Sequence, residues 1–122
     1  MGSGTYTVEE ANALLPYLAP TLVELRQKLE TSKEIEEAMA RAAAGNGWSA
    51  KRERWARTLA RVGELVDRIE EWEIEVRDLD RGIVDFPADI GGQEAYLCWR
   101  LGEPTVAHWH RRDEGFASRR SL

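Results

Sequence analysis

Around Trp72 the spacing of apolar residues switches from a helical to an alternating period, and no single element satisfies both. Upstream, Leu14, Leu18, Leu22, Leu25 and Leu29 recur every three or four positions, with Ile35 and Met39 continuing the stripe. A second stripe follows in Trp55, Leu59, Val62, Val66 and Ile69. Downstream, Ile74 and Val76, then Val84 and Phe86, alternate with polar residues as half-buried strands do. The chain is therefore expected to be α+β: a long antiparallel helical hairpin, about 8–43 and 49–72, followed by a four-stranded antiparallel β-meander, about 74–110.

Local signals set the boundaries. Thr7 three residues before Glu10 is a capping box, so a helix starts there. Pro16 and Pro20 each remove a backbone donor, which predicts a kink or a short separate first turn. The first helix is expected to reach Ala43, a turn to occupy Ala44-Gly45-Asn46-Gly47, and Ser49 to cap the second helix. Asp80-Arg81-Gly82 reads as a three-residue hairpin loop that places Arg77 opposite Asp85. Pro87 to Gly92 reads as a longer turn, Glu94 to Leu101 as a third strand, Gly102-Glu103-Pro104 as a turn, and Thr105 to His110 as a fourth strand. Residues 1–4 read as an appended or frayed start, and 111–122 form a polar tail anchored by Phe116.

At 122 residues the chain amounts to one domain. Its 43% hydrophobic and 32% charged residues are those of a globular protein. Acids outnumber bases 22 to 17, for a net charge of -5, which opposes wholesale binding to phosphate backbones or anionic membranes. One cysteine, no secretory leader and no long apolar run make the cytoplasm the expected location and exclude a membrane span. An elongated hairpin leaves flanks that a second copy would cover, so a homodimer is expected.

The register of the last hairpin decides which residues share a face. A three-residue loop at 102–104 gathers Leu97, Trp99, Ala107 and Trp109 on one face. Tyr96, Cys98, Arg100, His108 and His110 then share the other, with Val106 misplaced among them. Two imidazoles at alternate positions of a strand lie ~6.5–7 Å apart, near enough to reach one metal ion. His108 and His110 are the only histidines, and with Glu103 or Asp85 they make a two-histidine, one-carboxylate set suited to Fe or Zn. Asp113 and Glu114 are further carboxylates just past the strand. The alternative is that both histidines are half-exposed strand residues and that Asp85 simply pairs with Arg77.

Arg100, Tyr96 and Cys98 are candidates to bind a small anionic or oxygen-bearing ligand beside the metal. Cys98 is a thiolate ligand or nucleophile only if Arg100 and the histidines lower its pKa, and a lone strand cysteine is more often a small buried hydrophobe. Lys51, Arg52, Arg54, Arg57 and Arg61, interleaved with Trp55, make a basic helix face. Either it meets nucleic acid or an acidic partner, or it pairs with the acids around Glu30, Glu34, Glu36 and Glu37.

Several segments together resemble a known family: Tyr6 to Asn12, Val76 to Pro87, Tyr96 to Pro104, His108-Trp109-His110 and Glu114-Gly115-Phe116. The chain is similar to the prokaryotic family catalogued as domain of unknown function 2203. The resemblance implies a bacterial, cytosolic, single-domain protein and carries no activity. The residues therefore leave two functions. One is a divalent-metal protein, whose sharper form is a small metalloenzyme activating water or dioxygen. The other is a non-catalytic homodimeric scaffold built on the hairpin.

Overall fold

The computed structural model describes residues 4–42, 45 and 47–122. Helix α1 spans Val8–Arg41 and α2 spans Trp48–Glu71. Five strands follow: β1 Glu75–Asp78, β2 Ile83–Ile90, β3 Gln93–Arg100, β4 His108–Arg111 and β5 Arg120–Ser121. A single 3-10 turn at Phe116–Ser118 precedes β5. The sheet is an antiparallel meander in the order β1-β2-β3-β4-β5, one strand more than the alternation suggested. The extra strand is two polar residues in the tail, too short to carry a period.

The capping box at the start of α1 is present: Thr7 Oγ1 accepts from the Glu10 amide and Glu10 Oε1 from the Thr7 amide. No separate first turn forms, because α1 runs unbroken through Pro16 and Pro20. Both prolines lie on the exposed side, where water can serve the carbonyls that they leave without partners. The expected end at Ala43 and the turn residues Ala44 and Asn46 lie outside the described residues. Ser49 does not cap α2. Gly47, at φ 70°, is the N-cap and no side chain substitutes for it.

The helices bury most of the expected stripe: Leu18, Leu22, Leu25 and Ile35 are buried, Leu14 packs against the core, and Ala11 and Leu15 extend the buried face toward the N-terminus. Ala11, Leu15, Leu18, Leu22 and Leu25 of α1 meet Leu65 and Ile69 of α2 and the sheet residues Val84, Phe86, Ala88, Leu97 and Trp99. Each of the larger aliphatic side chains among them contributes ~1.5–3 kcal/mol on leaving water. Leu29 and Val66, expected in the seam, are exposed. Helix α1 is ~51 Å long at 1.5 Å per residue, and the sheet covers only its N-terminal half.

Strand β2 is longer than expected. Pro87 to Ile90 continue it, and Gly91-Gly92, with φ 63° and 80°, form a two-residue turn to β3. Such a turn needs both residues left-handed, which two glycines allow. Proline is tolerated in the strand because β1 pairs with β2 only as far as Asp85. Beyond that point the free side of β2 is met by the Tyr6 amide, which donates to the Pro87 carbonyl at 2.7 Å.

The first hairpin also differs. Its loop is 79–82, a bulge falls between Val76 and Asp78, and Glu75, not Arg77, stands opposite Asp85. The last hairpin keeps the expected register: Leu97 faces Trp109, Cys98 faces His108 and Tyr96 faces His110. Pairing begins only at His108, however, and Val106 leaves the polar face for the core. The Val106 amide donates to Asn12 Oδ1 of α1 at 2.7 Å, so a helix side chain replaces the strand partner.

Candidate functional site

Residues of β2, β3 and β4 whose side chains point away from the helices form the outer face of the sheet. On it Asp85, Cys98 and His108 make one row across three strands, and Pro87, Tyr96 and His110 the next. No helix covers this face, yet Asp85 and His110 are each 1% exposed and Cys98 is fully buried. Long side chains and the C-terminal turn do the covering. Arg77 lies over the Tyr96 ring at 4.9 Å, and Tyr96 packs against the His110 ring at 5.6 Å between centroids.

His110 reaches diagonally past β3 to Asp85, with Nε2 3.0 Å from each carboxylate oxygen. Its other nitrogen, Nδ1, lies 2.7 Å from the Arg111 carbonyl oxygen. A carbonyl only accepts, so Nδ1 carries a hydrogen and Nε2 is the nitrogen aimed at the carboxylate. Two sets of lone pairs face each other unless a proton or a cation lies between them. Asp85 Oδ2 also accepts from Arg77 Nε at 2.8 Å, the ion pair expected from sequence, formed across the bulge.

Cys98 completes the cluster. The ligand atoms of Asp85, Cys98 and His110 lie within 4.8 Å of one another, the one such group of three among the described residues. Burial first, then the Asp85 carboxylate, pushes the Cys98 thiol up to about 12, against a smaller opposing pull from Arg119. The thiol is therefore protonated in the metal-free chain. A Cys-His-Asp nucleophile relay does not fit, because Asp85 and the Arg111 carbonyl engage both His110 nitrogens and leave none for the sulfur.

Other expected ligands go elsewhere. Glu103 forms a fork with Arg119, at 3.1 and 2.6 Å, and accepts from the Arg100 amide at 2.8 Å. Burial raises the Glu103 carboxyl, but the Arg119 guanidinium and the Arg100 amide outweigh it and hold the group below the usual carboxylate range. His108 lies beside Cys98 across the strands, and its buried Nδ1 has no hydrogen-bond partner among the described residues. Glu114 accepts from the Arg111 amide and from Arg120. Of the anion-binding candidates, the Tyr96 hydroxyl donates to Glu75 at 2.9 Å, Cys98 is sealed in the cluster, and Arg100 lies near Phe116. Arg119, which bears on both Glu103 and Cys98, carries no sequence signal; it sits in the segment that reads as a polar tail.

The basic helix face is partly neutralised within the hairpin. Arg61 makes a fork with Glu24, at 2.7 and 2.8 Å, and also pairs with Glu64. Trp55 Nε1 donates to Glu36. Among the described residues no helix is long and apolar enough to cross a membrane.

No curated protein and no solved structure matches the chain. The segments that build the outer face and the N-terminal cap fall within one family model, described as an uncharacterized conserved protein (DUF2203) and matching residues 4–122, and the chain belongs to that family.

Proposed function

We propose that the protein binds a divalent transition metal ion through Asp85, Cys98 and His110. The observation that supports this is the His110 ring: one nitrogen is fixed as a donor to a backbone carbonyl while the other points between two carboxylate oxygens. Metal-binding histidines are held in this way, the acceptor behind the ring setting the tautomer. Nε2 lies 3.0 Å from each carboxylate oxygen, near enough for the imidazole and the carboxylate to share one ion between them. A bound ion would replace the proton between them and deprotonate the neighbouring thiol.

The donor set of thiolate, imidazole and carboxylate favours zinc over iron, for which an all-nitrogen-and-oxygen set is more usual. Three protein ligands leave a four-coordinate ion one further position, and burial of all three side chains keeps that position from bulk water. A lone, buried, unpaired cysteine fits a reducing, cytoplasmic setting.

The test is elemental analysis of tag-free protein, with cobalt(II) titrated into the metal-stripped chain. About one equivalent of metal and a thiolate-to-cobalt charge-transfer band are expected, with the band absent in Cys98→Ser. Protein that carries no metal and develops no such band overturns the proposal.

A second reading, the homodimeric scaffold, draws on the exposure of Leu29 and Val66, together with Tyr17, on the helical hairpin. Light scattering that gives a monomer at every concentration would remove it.

A further inference from the structure

In a chain where acids outnumber bases, most arginines of the sheet half find carboxylates: Arg77, Arg112, Arg119 and Arg120 do so. Arg81 and Arg100 form no ion pair among the described residues. Their guanidiniums instead converge on one side chain, Phe116, with the Cζ carbons 5.3 and 6.0 Å from its ring centroid. Arg119 also lies on the ring, at 4.0 Å, but its charge is matched by the Glu103 fork.

The fold brings the two arginines to neighbouring backbone positions. Arg81 sits in the β1–β2 loop and Arg100 ends β3 opposite Ile83, while the Leu101 amide donates to the Gly82 carbonyl at 2.8 Å. Of the acids nearest in sequence, Asp78 Oδ1 accepts from the Arg81 amide and Glu103 is held by Arg119, while the Asp80 carboxylate forms no ion pair among the described residues. A cation over an exposed ring gains only ~0.5–1 kcal/mol, a weak offset for holding like charges together. An anion between them removes the repulsion.

We propose that Arg81, Arg100 and Phe116 form a binding site for a phosphate monoester. Two guanidiniums match a dianion in charge, and their planar forks match its oxygens. A carboxylate carries half that charge and one terminal oxygen fewer. The Phe116 ring offers an apolar surface to the group that bears the phosphate. The site is independent of the metal proposal, since none of its three residues belongs to the Asp85 cluster.

The experiment is calorimetric titration of the whole protein with phenyl phosphate, inorganic phosphate and benzoate. Saturable binding of both phosphates is expected, with phenyl phosphate the tighter. Arg81→Ala and Arg100→Ala, both at exposed positions, should each weaken binding about tenfold or more. Phe116→Ala should erase the preference for the phenyl ester. Arg112→Ala, on the arginine paired with Glu94, should change nothing. The proposal is overturned by an absence of saturable phosphate binding, by benzoate binding as tightly as phenyl phosphate, or by an equal loss in Arg112→Ala. Tight, steeply salt-dependent binding of an RNA homopolymer without phenyl phosphate binding would also overturn it, in favour of a nucleic-acid surface.

Discussion

His110 Nε2 stands 3.0 Å from both oxygens of Asp85 although a whole strand, β3, separates the strands that carry them. The two side chains bridge the outer face in a nearly water-free setting. Removing one of them leaves the other polar and unmatched, at a cost of roughly 3–5 kcal/mol. Asp85→Leu and His110→Phe should each lower stability by about that amount in urea unfolding. The double variant should lose ~1–3 kcal/mol less than the sum. Additive losses would show that the two residues do not act as a unit.

Cys98 makes the fold sensitive to alkali. The thiol is pushed up from 9.0 to about 12, so across that window the folded chain keeps a proton that the unfolded chain releases. Its contribution to stability is fully present below about pH 9 and falls as pH rises through the window. Tyr6 and Tyr96, raised above 10.0 by burial first and by neighbouring carboxylates second, act in the same direction at still higher pH. Urea midpoints should decline from about pH 9 in the metal-free protein, and the earliest part of that decline should vanish in Cys98→Ala. The native thiol should also react slowly with a disulfide reagent at neutral pH and rapidly once unfolded.

Glu103 works at the acid end. Its carboxyl is held below 4.5, so its contribution is present above that pH and is lost as pH falls through the lower, folded value. Glu103→Gln should flatten the stability profile on the acid side and leave the alkaline decline untouched. An unchanged acid limb would show that the Arg119 fork contributes nothing to stability.

Two backbone positions should respond in opposite ways. Gly82 is left-handed at φ 70°, and an added Cβ would overlap the Leu101 side chain, so Gly82→Ala should cost about 2 kcal/mol or more. Glu73, at φ 58°, follows the end of α2 at a position where glycine is usual, so Glu73→Gly should stabilise by about 0.5–1 kcal/mol. Thermal unfolding of the two variants checks both signs.

The register of the last hairpin could be read from sequence because Leu97 and Trp109 belong on the core-facing side, and the three-residue loop sets them opposite each other. The path of 102–107 could not, since Val106 is turned inward by a hydrogen bond to Asn12, 94 positions away. Likewise, alternation places Asp85, Cys98, His108 and His110 on one face, but side-chain reach decides which of them touch. His110 is long enough to cross β3 to Asp85, whereas Glu103 is captured by Arg119, whose position depends on the pairing of the last strand. The hairpin loop at 79–82 misled for a related reason: a bulge adds a residue without disturbing the alternation on either side.

The bond from the Val106 amide to Asn12 ties the second turn of the first helix to a segment near the opposite end of the chain, and the Tyr6 amide reaches the Pro87 carbonyl in the same region. Closing such large loops loses entropy that local helix formation does not return, so these contacts form late in folding. The hairpin and the sheet consequently behave as one cooperative unit. A nascent hairpin would wait, its apolar stripe uncovered, until the last strands arrive, and that interval is when the chain is most exposed to aggregation.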